Sequence, residues 1–182
     1  DALFDELAAT ATPQGIVALV ETPRGSLPRP EDRLVVLLEN LQDPGNAGAI
    51  LRAAAAAGAS HVLFSKGSVF AWSPRVMRAA QGAHFVLQVV EEVDALAFAA
   101  SARPARTLAA LMPHAQQSVF TAPLPLPLAL VIGNEGAGIS APLVASCNSQ
   151  VTIPMPGRIE SLNAAQAATV ALFEIVRRGS SR

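Results

Sequence analysis

The 182-residue sequence contains few of the residues that mark several classes of protein. It has one cysteine, Cys147, which excludes both a disulfide framework within the chain and a zinc site built from several cysteines. We expect Cys147 to be a buried structural thiol, and we expect no metal site. No apolar run is long enough to span a bilayer and no signal peptide is visible. These features predict a cytoplasmic protein with no membrane partner.

Aromatic residues and lysine are also scarce. Aromatic residues make up 4% of the chain, so its core must be built from Ala, Val, Leu and Ile. Lys66 is the only lysine and the net charge is −1, whereas a dedicated nucleic-acid binder is usually more basic. Any nucleic acid must therefore meet a local basic patch or a further module. Arginine supplies nearly all of the positive charge, and its bidentate contacts suit phosphate.

The residues that are abundant indicate one globular domain behind a linker. Hydrophobic residues make up 51% of the chain, far more than a disordered chain carries. Residues 1–33 are weakly organised, and prolines and a glycine between residues 23 and 30 mark a linker. We expect this segment to be the tail of a larger protein, and residues 34–182 to form one folded domain.

Short apolar runs alternate with helical segments from residue 34 onward. The runs predict six strands, at residues 34–38, 61–64, 85–90, 107–111, 128–132 and 150–153. Helices are predicted up to about residue 57, from Ser73-Pro74, over 93–102 and over 162–177. This alternation predicts an α/β fold with a mainly parallel sheet flanked by helices. Ligands of such sheets lie beyond the carboxyl ends of the strands.

The loop after the first strand, residues 40–52, contains Asn46 and Arg52. Asn46 follows the turn at residues 43–46, so it could cap the helix that begins there. Arg52 stands in an otherwise alanine-rich helix, where a functional role and a solvated surface position are about equally probable on sequence grounds.

The loop after the most hydrophobic strand reads Gly133-Asn134-Glu135-Gly136-Ala137-Gly138. Glycines allow close approach to a ligand, but the spacing matches neither the Walker A motif nor the dinucleotide fingerprint. The acid Glu135 would repel a diphosphate and suits a positioning role better. The alternative is a helix-entry turn capped by Ser140.

The third unusual loop, residues 153–163, combines apolar residues with two prolines and a glycine. An apolar loop suits a cofactor pocket. Ser161 or Asn163 could instead simply cap the last helix.

Taken together, these loops resemble the three signature motifs of the SpoU (TrmH-like) family within the SPOUT methyltransferases. The first resembles the Asn-x-Gly-x-x-x-Arg motif, the second Gly-Asn-Glu-x-x-Gly, and the third Ile-Pro-Met-x-Gly followed by Ser-Leu-Asn. The order and the separations of roughly 80 and 20 residues agree, and the likeness covers about residues 15–178. Three ordered motifs are much more specific than any one of them.

The resemblance implies an enzyme that transfers a methyl group from S-adenosylmethionine to a ribose 2′-hydroxyl of RNA. It also implies a C-terminal trefoil knot, in which the cofactor lies bent, and a homodimer whose active site draws on both subunits. The residues that would line the cofactor are Gly133, Gly138, Ile153, Met155 and Leu162. Those that would surround the methyl transfer are Asn46, Arg52, Glu135, Ser161 and Asn163.

Arginine does not deprotonate readily, so we expect Arg52 to hold the hydroxyl or an adjacent phosphate rather than to act as a base. Many relatives carry an N-terminal RNA-binding domain, and the linker-like start fits a chain from which such a domain is absent. We therefore favour ribosomal RNA over tRNA as the substrate. The alternatives are a methyltransferase for another nucleic-acid group, a non-catalytic RNA-binding module with this fold, and a nucleotide-binding oxidoreductase.

Overall fold

The computed structural model describes residues 4, 15–103 and 105–179 of the chain. Its strands are β1 (Leu34–Leu38), β2 (His61–Ser65), β3 (Gln88–Val93), β4 (Thr107–Leu111), β5 (Gln117–Ser118), β6 (Leu128–Ile132) and β7 (Ser149–Thr152). Its helices are α1 (Pro44–Ala56), α2 (Pro74–Ala80), α3 (Ala95–Ala102), α4 (Ala141–Ser146) and α5 (Ala164–Gly179). A 3₁₀ turn at Ala83–Phe85 separates α2 from β3.

The seven strands form one parallel sheet in the order β3-β2-β1-β6-β4-β7-β5. The central strands β1 and β6 are buried along their whole length, as their unbroken apolar sequences predict. The predicted α/β class with a parallel sheet is therefore confirmed. Because all strands run the same way, their carboxyl ends meet at one edge of the sheet, which we call the carboxyl edge. The opposite edge is the amino edge.

Two hydrophobic clusters cover the two faces of the sheet. The larger one packs α1, α2 and α5 against one face. The smaller one packs α3 and α4 against the other, with Phe98 and Leu143 among its members. Layers of helix, sheet and helix bury both faces, as a parallel sheet requires. Within the described residues, no helix is both long and apolar enough to cross a membrane.

The third strand was predicted at residues 85–90, but in the structure it lies further along the chain, at Gln88–Val93. Phe85 and Val86 are exposed and lie in and after the 3₁₀ turn, while the strand runs on through Glu91 and Glu92. The acids are tolerated because β3 is an edge strand and only part of it is buried. Glu91 accepts a hydrogen bond from the backbone N–H of Ala71 at 2.7 Å.

The remaining strands and helix ends are close to their predicted positions. β1, β4 and β6 have the predicted bounds, and β7 begins and ends one residue early. The last helix begins at Ala164 rather than Leu162. β5 was not predicted, because two residues are too short to establish a period, and α4 was foreseen only as the helix that Ser140 could cap.

Candidate active site

A cavity of about 560 Å³ opens at the carboxyl edge of the sheet, beside the ends of β4, β6 and β7. This volume falls within the range of small-molecule sites in proteins, about 300–1,000 Å³. Nine of the ten residues predicted from the sequence line it. They are Asn46, Gly133, Glu135, Gly138, Ile153, Met155, Ser161, Leu162 and Asn163.

The loop after β6 folds back on itself beside the cavity. The backbones of Asn134 and Gly138 exchange two hydrogen bonds, of 2.9 and 3.0 Å. Gly138 has a φ of +71°, which glycine adopts without strain. A Cβ atom on Gly133 would lie 2.2 Å from the carbonyl carbon of Gly138. Glycine at position 133 therefore lets the loop close.

The same loop is tied to the end of β1. The side chain of Asn134 donates a hydrogen bond to the backbone carbonyl of Asn40 at 2.8 Å. Ser140 stands at the start of α4, where the sequence predicted a cap. Its hydroxyl makes no capping bond and instead donates to Glu39 at 2.6 Å. These contacts join the ends of two neighbouring strands, β1 and β6, across the site.

Asn46 does not cap α1. The helix begins at Pro44, and Asp43 is the capping residue, with its carboxylate accepting from the backbone N–H of Asn46 at 2.6 Å. The predicted turn at residues 43–46 is thus the cap and first turn of α1. Because Asp43 caps the helix, the amide side chain of Asn46 is available for partners that are distant in sequence.

Those partners are Glu135 and Asn163. The Asn46 side-chain amide donates to Glu135 at 3.0 Å, and its carbonyl oxygen accepts from the side-chain amide of Asn163 at 2.7 Å. Glu135 also accepts from the backbone N–H groups of Asp43 at 3.0 Å and Gln42 at 3.2 Å. One chain of hydrogen bonds therefore connects all three loops that the sequence singled out.

The ionisation of Glu135 follows from these bonds. Burial by itself raises the pKa of Glu135, but the hydrogen bonds from the Asn46 side chain and from nearby backbone N–H groups outweigh it and leave the pKa below its ordinary value. Two carboxylate oxygens offer about four acceptor sites, and three are already used by Asn46, Asp43 and Gln42. Glu135 is therefore ionised at neutral pH and a poor proton acceptor.

Asn163, and not Ser161, caps the last helix. The Asn163 carbonyl oxygen accepts from the backbone N–H groups of Ala165 at 2.8 Å and Gln166 at 3.3 Å. Ser161 is exposed at the cavity, and its hydroxyl has no hydrogen-bond partner among the described residues. It is thus a polar group in the site that can still bind a ligand.

Arg52 is the predicted site residue that the structure does not bring to the cavity of its own subunit. It is exposed on α1 and does not line the cavity. Within residues 15–103 and 105–179 it forms neither a hydrogen bond nor an ion pair. It lies six residues beyond Asn46, about 9 Å further along the helix at 1.5 Å per residue.

The sequence did not identify the part of the cavity wall formed by Leu111, the last residue of β4, and by Met112 and Pro113 directly after it. A signal was present, because this segment also follows a parallel strand at the carboxyl edge. It lacks the polar and glycine residues that drew attention to the other loops. Apart from this segment, the wall is mostly glycine and apolar side chains such as Ile132 and Ile153.

Comparisons with known proteins agree with this arrangement. The model of the SpoU rRNA Methylase family matches residues 33–173. An uncharacterised tRNA/rRNA methyltransferase of Synechocystis is 35% identical over 95% of this chain, and a Bacillus subtilis 23S rRNA (guanosine-2′-O)-methyltransferase is 33% identical over 94%. A 23S rRNA (uridine-2′-O)-methyltransferase of Streptomyces viridochromogenes is 35% identical over 98%. The aligned parts cover 64%, 68% and 65% of these three relatives.

Solved structures give the same result. A TrmH-family protein from Porphyromonas gingivalis superposes with a TM-score of 0.83 at 34% identity, covering 96% of this chain and 71% of that one. The SpoU methyltransferase AviRb from Streptomyces viridochromogenes, in complex with AdoMet (S-adenosylmethionine), superposes with a TM-score of 0.81 at 34% identity, covering 89% of this chain and 68% of that one. The three motifs, the parallel sheet and the family match over 141 residues lead to one conclusion: the chain belongs to the SpoU rRNA methylase family.

Proposed function

We propose that this chain binds S-adenosylmethionine in the cavity at the carboxyl edge and methylates a ribose 2′-hydroxyl of RNA. The observation that carries the proposal is the chain of hydrogen bonds through Asn46, Glu135 and Asn163 at the wall of a mostly apolar cavity. It fixes three loops relative to one another, as alignment of two reactants requires.

The residues present fit this cofactor. Apolar side chains such as Ile153, Met155 and Leu162 suit the adenine and the methionine chain, and the glycines at 133 and 138 add no side chains that would fill the cavity. The ionised Glu135 lies at the same cavity and complements the positive sulfonium. When bound, S-adenosylmethionine supplies an activated methyl group.

The protein's task is then alignment and the handling of one proton. We assign Asn46, Glu135 and Asn163 to positioning, because their hydrogen-bonding groups hold the loops together. Ser161, with its free hydroxyl, is placed to hold the ribose. If S-adenosylmethionine is held by Gly133, Ile153, Met155 and Leu162, it would supply the methyl group to the hydroxyl oxygen, and the hydroxyl proton would pass to solvent water. Developing negative charge on the oxygen is best stabilised by a cation.

We propose that this cation is Arg52 acting in the site of a second subunit of a homodimer. Arg52 is exposed and lies outside the cavity of its own subunit, so it can serve the reaction most directly from a partner. Mixing two inactive variants tests this. If the site is shared, dimers of Arg52→Ala with Glu135→Ala contain one intact site, and random reassortment restores about a quarter of the parent activity. Failure of the mixed variants to recover activity would exclude a shared site.

The RNA we propose is ribosomal, because two of the similar proteins are 23S rRNA 2′-O-methyltransferases. A tRNA substrate is the alternative, and a non-catalytic RNA-binding module is the second. A missing RNA-binding domain, of which residues 1–33 would be the tail, stays a prediction, as do a cytoplasmic location and the trefoil knot. A knot would be consistent with two observations: the segment after β7 lines the same cavity as the β6 loop, and α5 packs on α1.

Titration of S-adenosylmethionine into the purified chain by calorimetry is the first test, with NAD and ATP as controls. We expect binding of one molecule per subunit or per dimer by the parent and weaker binding by Gly133→Ala, in which the loop cannot close. Glu31→Gln, an exposed acid near the amino edge, is the matched control that keeps parent affinity. NAD binding without S-adenosylmethionine binding would favour the oxidoreductase instead.

The second test incubates the chain with ribosomal RNA, tRNA and tritiated cofactor, followed by alkaline hydrolysis. A 2′-O-methyl group blocks attack on the neighbouring phosphodiester, so labelled RNA should yield alkali-resistant dinucleotides. Label recovered in single nucleotides would place the methyl group on a base and contradict the proposal. Cofactor binding with no labelling of either RNA would favour the non-catalytic module.

A further inference from the structure

The polar side chains that line the cavity at the carboxyl edge differ in whether they already have partners. Seven such side chains line it, namely Asn46, Asn134, Glu135, Thr152, Glu160, Ser161 and Asn163. Five of them have partners within the protein, as the Thr152 hydroxyl has in the backbone carbonyl of Pro113 at 2.8 Å. Glu160 and Ser161 form no hydrogen bond with any of the described residues. These two neighbours are therefore the lining side chains with free capacity for a ligand.

The charged side chains in the cavity wall of one subunit are all acidic. Glu135 and Glu160 line the cavity, and among the described residues that line it none is Lys, Arg or His. Opposite charges attract more strongly where part of the solvent is excluded. The wall of one subunit therefore favours a ligand with positive groups over an anionic ligand such as a free nucleotide.

The segment before Ser161 places an acid at the cavity and an apolar side chain away from it. Glu160 is exposed to solvent and lines the cavity, whereas Ile159 is 70% exposed and does not line it. Hydrophobic burial alone would turn the isoleucine toward the mostly apolar wall and leave the acid in water. Such a local arrangement, with no compensating contact in the fold, is typical of functional positions.

Glu160 is close along the chain to the hydrogen bonds that hold the other acid. Glu135 accepts from the Asn46 side chain at 3.0 Å, and Asn46 accepts from the Asn163 side chain at 2.7 Å. Asn163 is three residues after Glu160, so their Cα atoms are at most about 11 Å apart even in a fully extended chain. Since both acids also line one cavity, a single ligand of the size of the cofactor can meet both.

S-adenosylmethionine carries two positive groups, the sulfonium and the α-ammonium of its methionine part. Glu135 complements the sulfonium under the proposed function. We propose that Glu160 binds the α-ammonium group by accepting a hydrogen bond from it. The inference rests on the proposed function and adds to it the residue that recognises the amino-acid part of the cofactor. Ser161 stays available for the ribose, so two adjacent residues serve the two reactants.

Calorimetry with three ligands tests this assignment, because they share the adenosine part and differ in their charged groups. S-adenosylmethionine has the sulfonium and the ammonium, S-adenosylhomocysteine has the ammonium without the sulfonium, and 5′-methylthioadenosine has neither. For Glu160→Gln we expect about tenfold weaker binding of the first two ligands and unchanged binding of the third. The factor is at the low end for hydrogen bonds between charged groups, because Glu160 is exposed to solvent.

Salt and two further variants sharpen the result. KCl screens an exposed ion pair, so added salt should weaken the binding of S-adenosylhomocysteine to the parent more than to Glu160→Gln. Glu160→Asp keeps the charge on a shorter side chain and should lose less affinity than Glu160→Gln. Glu31→Gln removes an exposed carboxylate near the amino edge and should bind all three ligands as the parent does.

Each of the other results overturns the assignment in a different way. Parent-like binding of all three ligands by Glu160→Gln would make Glu160 a solvated surface acid. Weaker binding of S-adenosylmethionine alone would assign Glu160 to the sulfonium, and equally weaker binding of all three would assign it to the adenosine part. A parent chain that binds none of the three would overturn the proposed function and this inference with it. Circular dichroism verifies that each variant is folded.

Discussion

The carboxyl and amino edges of the sheet both carry polar side chains, yet they use them differently. At the carboxyl edge, Asn46 and Glu135 join loops around an open cavity, and Ser161 keeps a free hydroxyl. At the amino edge, the buried guanidinium of Arg106 donates to the backbone carbonyls of Arg29 (2.7 Å) and Asp32, and it does not line the cavity at the carboxyl edge. Buried polarity alone therefore does not mark a site. A site is indicated instead by a polar group that lies beside a cavity and still has hydrogen-bonding capacity for a ligand.

His61 illustrates the same point. Its Nδ1 lies 2.8 Å from the Ser60 hydroxyl and 3.9 Å from the Asp32 carboxylate, a combination of serine, histidine and acid. Both contacts fall on one ring nitrogen, so the histidine cannot relay a proton between the two groups. The cluster instead attaches the linker to the start of β2.

The largest effect should come from Glu135→Ala, which separates the loops at the carboxyl edge. We expect methyl transfer to fall by at least about 100-fold, because small displacements of aligned reactants have effects of that size. Activity with radiolabelled cofactor measures the change. Glu31→Ala, an exposed acid near the amino edge, should retain parent activity. A similar loss in both variants would abolish the distinction between the edges.

Arg106→Ala, at the amino edge, should lower the stability of the protein and leave cofactor binding unchanged. Two backbone carbonyls lose a charged donor, so we expect the free energy of unfolding to fall by about 2–3 kcal/mol. Urea denaturation measures it, and calorimetry on the folded variant should find unchanged affinity for S-adenosylmethionine. Loss of cofactor affinity by the folded variant would show that the two edges are coupled through the sheet.

The edges should also respond differently to acid. Burial lowers the pKa of His61 below its ordinary 6.5, so the unfolded chain takes up that proton first and stability falls as pH drops below 6.5. The pKa of Glu135 is also lowered, and its contribution is present above 4.5 and lost as pH falls further. Urea denaturation should show that His61→Gln loses less stability than the parent between pH 6.5 and pH 4.5. Glu135→Gln should change only the loss below 4.5, and the reverse pattern would contradict this assignment.

The smallest effect is expected at Cys147, which belongs to neither cluster of polar groups. Burial raises the pKa of its thiol to about 11, so little thiolate forms at neutral pH. Iodoacetamide should therefore label the native chain slowly at pH 7.5, and rapidly after unfolding in urea. Fast labelling of the native chain would show that the thiol is accessible and ionised.

Much of the site was predictable because the motifs follow strands that can be identified locally. The apolar runs at 34–38, 107–111 and 128–132 are strands with those bounds, and the segments after them form the cavity. Nine of ten predicted residues meet there, because parallel strands bring their carboxyl ends to one edge. Capping was less predictable, since Asp43 and Asn46 both satisfy the local preference and only one of them can be the cap.

What the sequence determined by itself is most of the strands, the class of fold and the loops that carry polar groups, because hydrophobic period and turn chemistry act over a few residues. Only the tertiary structure decided which of those polar groups bind one another. Asn46 meets Glu135 and Asn163 across 89 and 117 residues of chain, and Arg106 reaches Arg29 across 77. It also placed Arg52 outside the cavity of its own subunit. Hydrogen bonds act over about 3 Å, so their partners are set by how the sheet and helices pack and not by distance along the sequence.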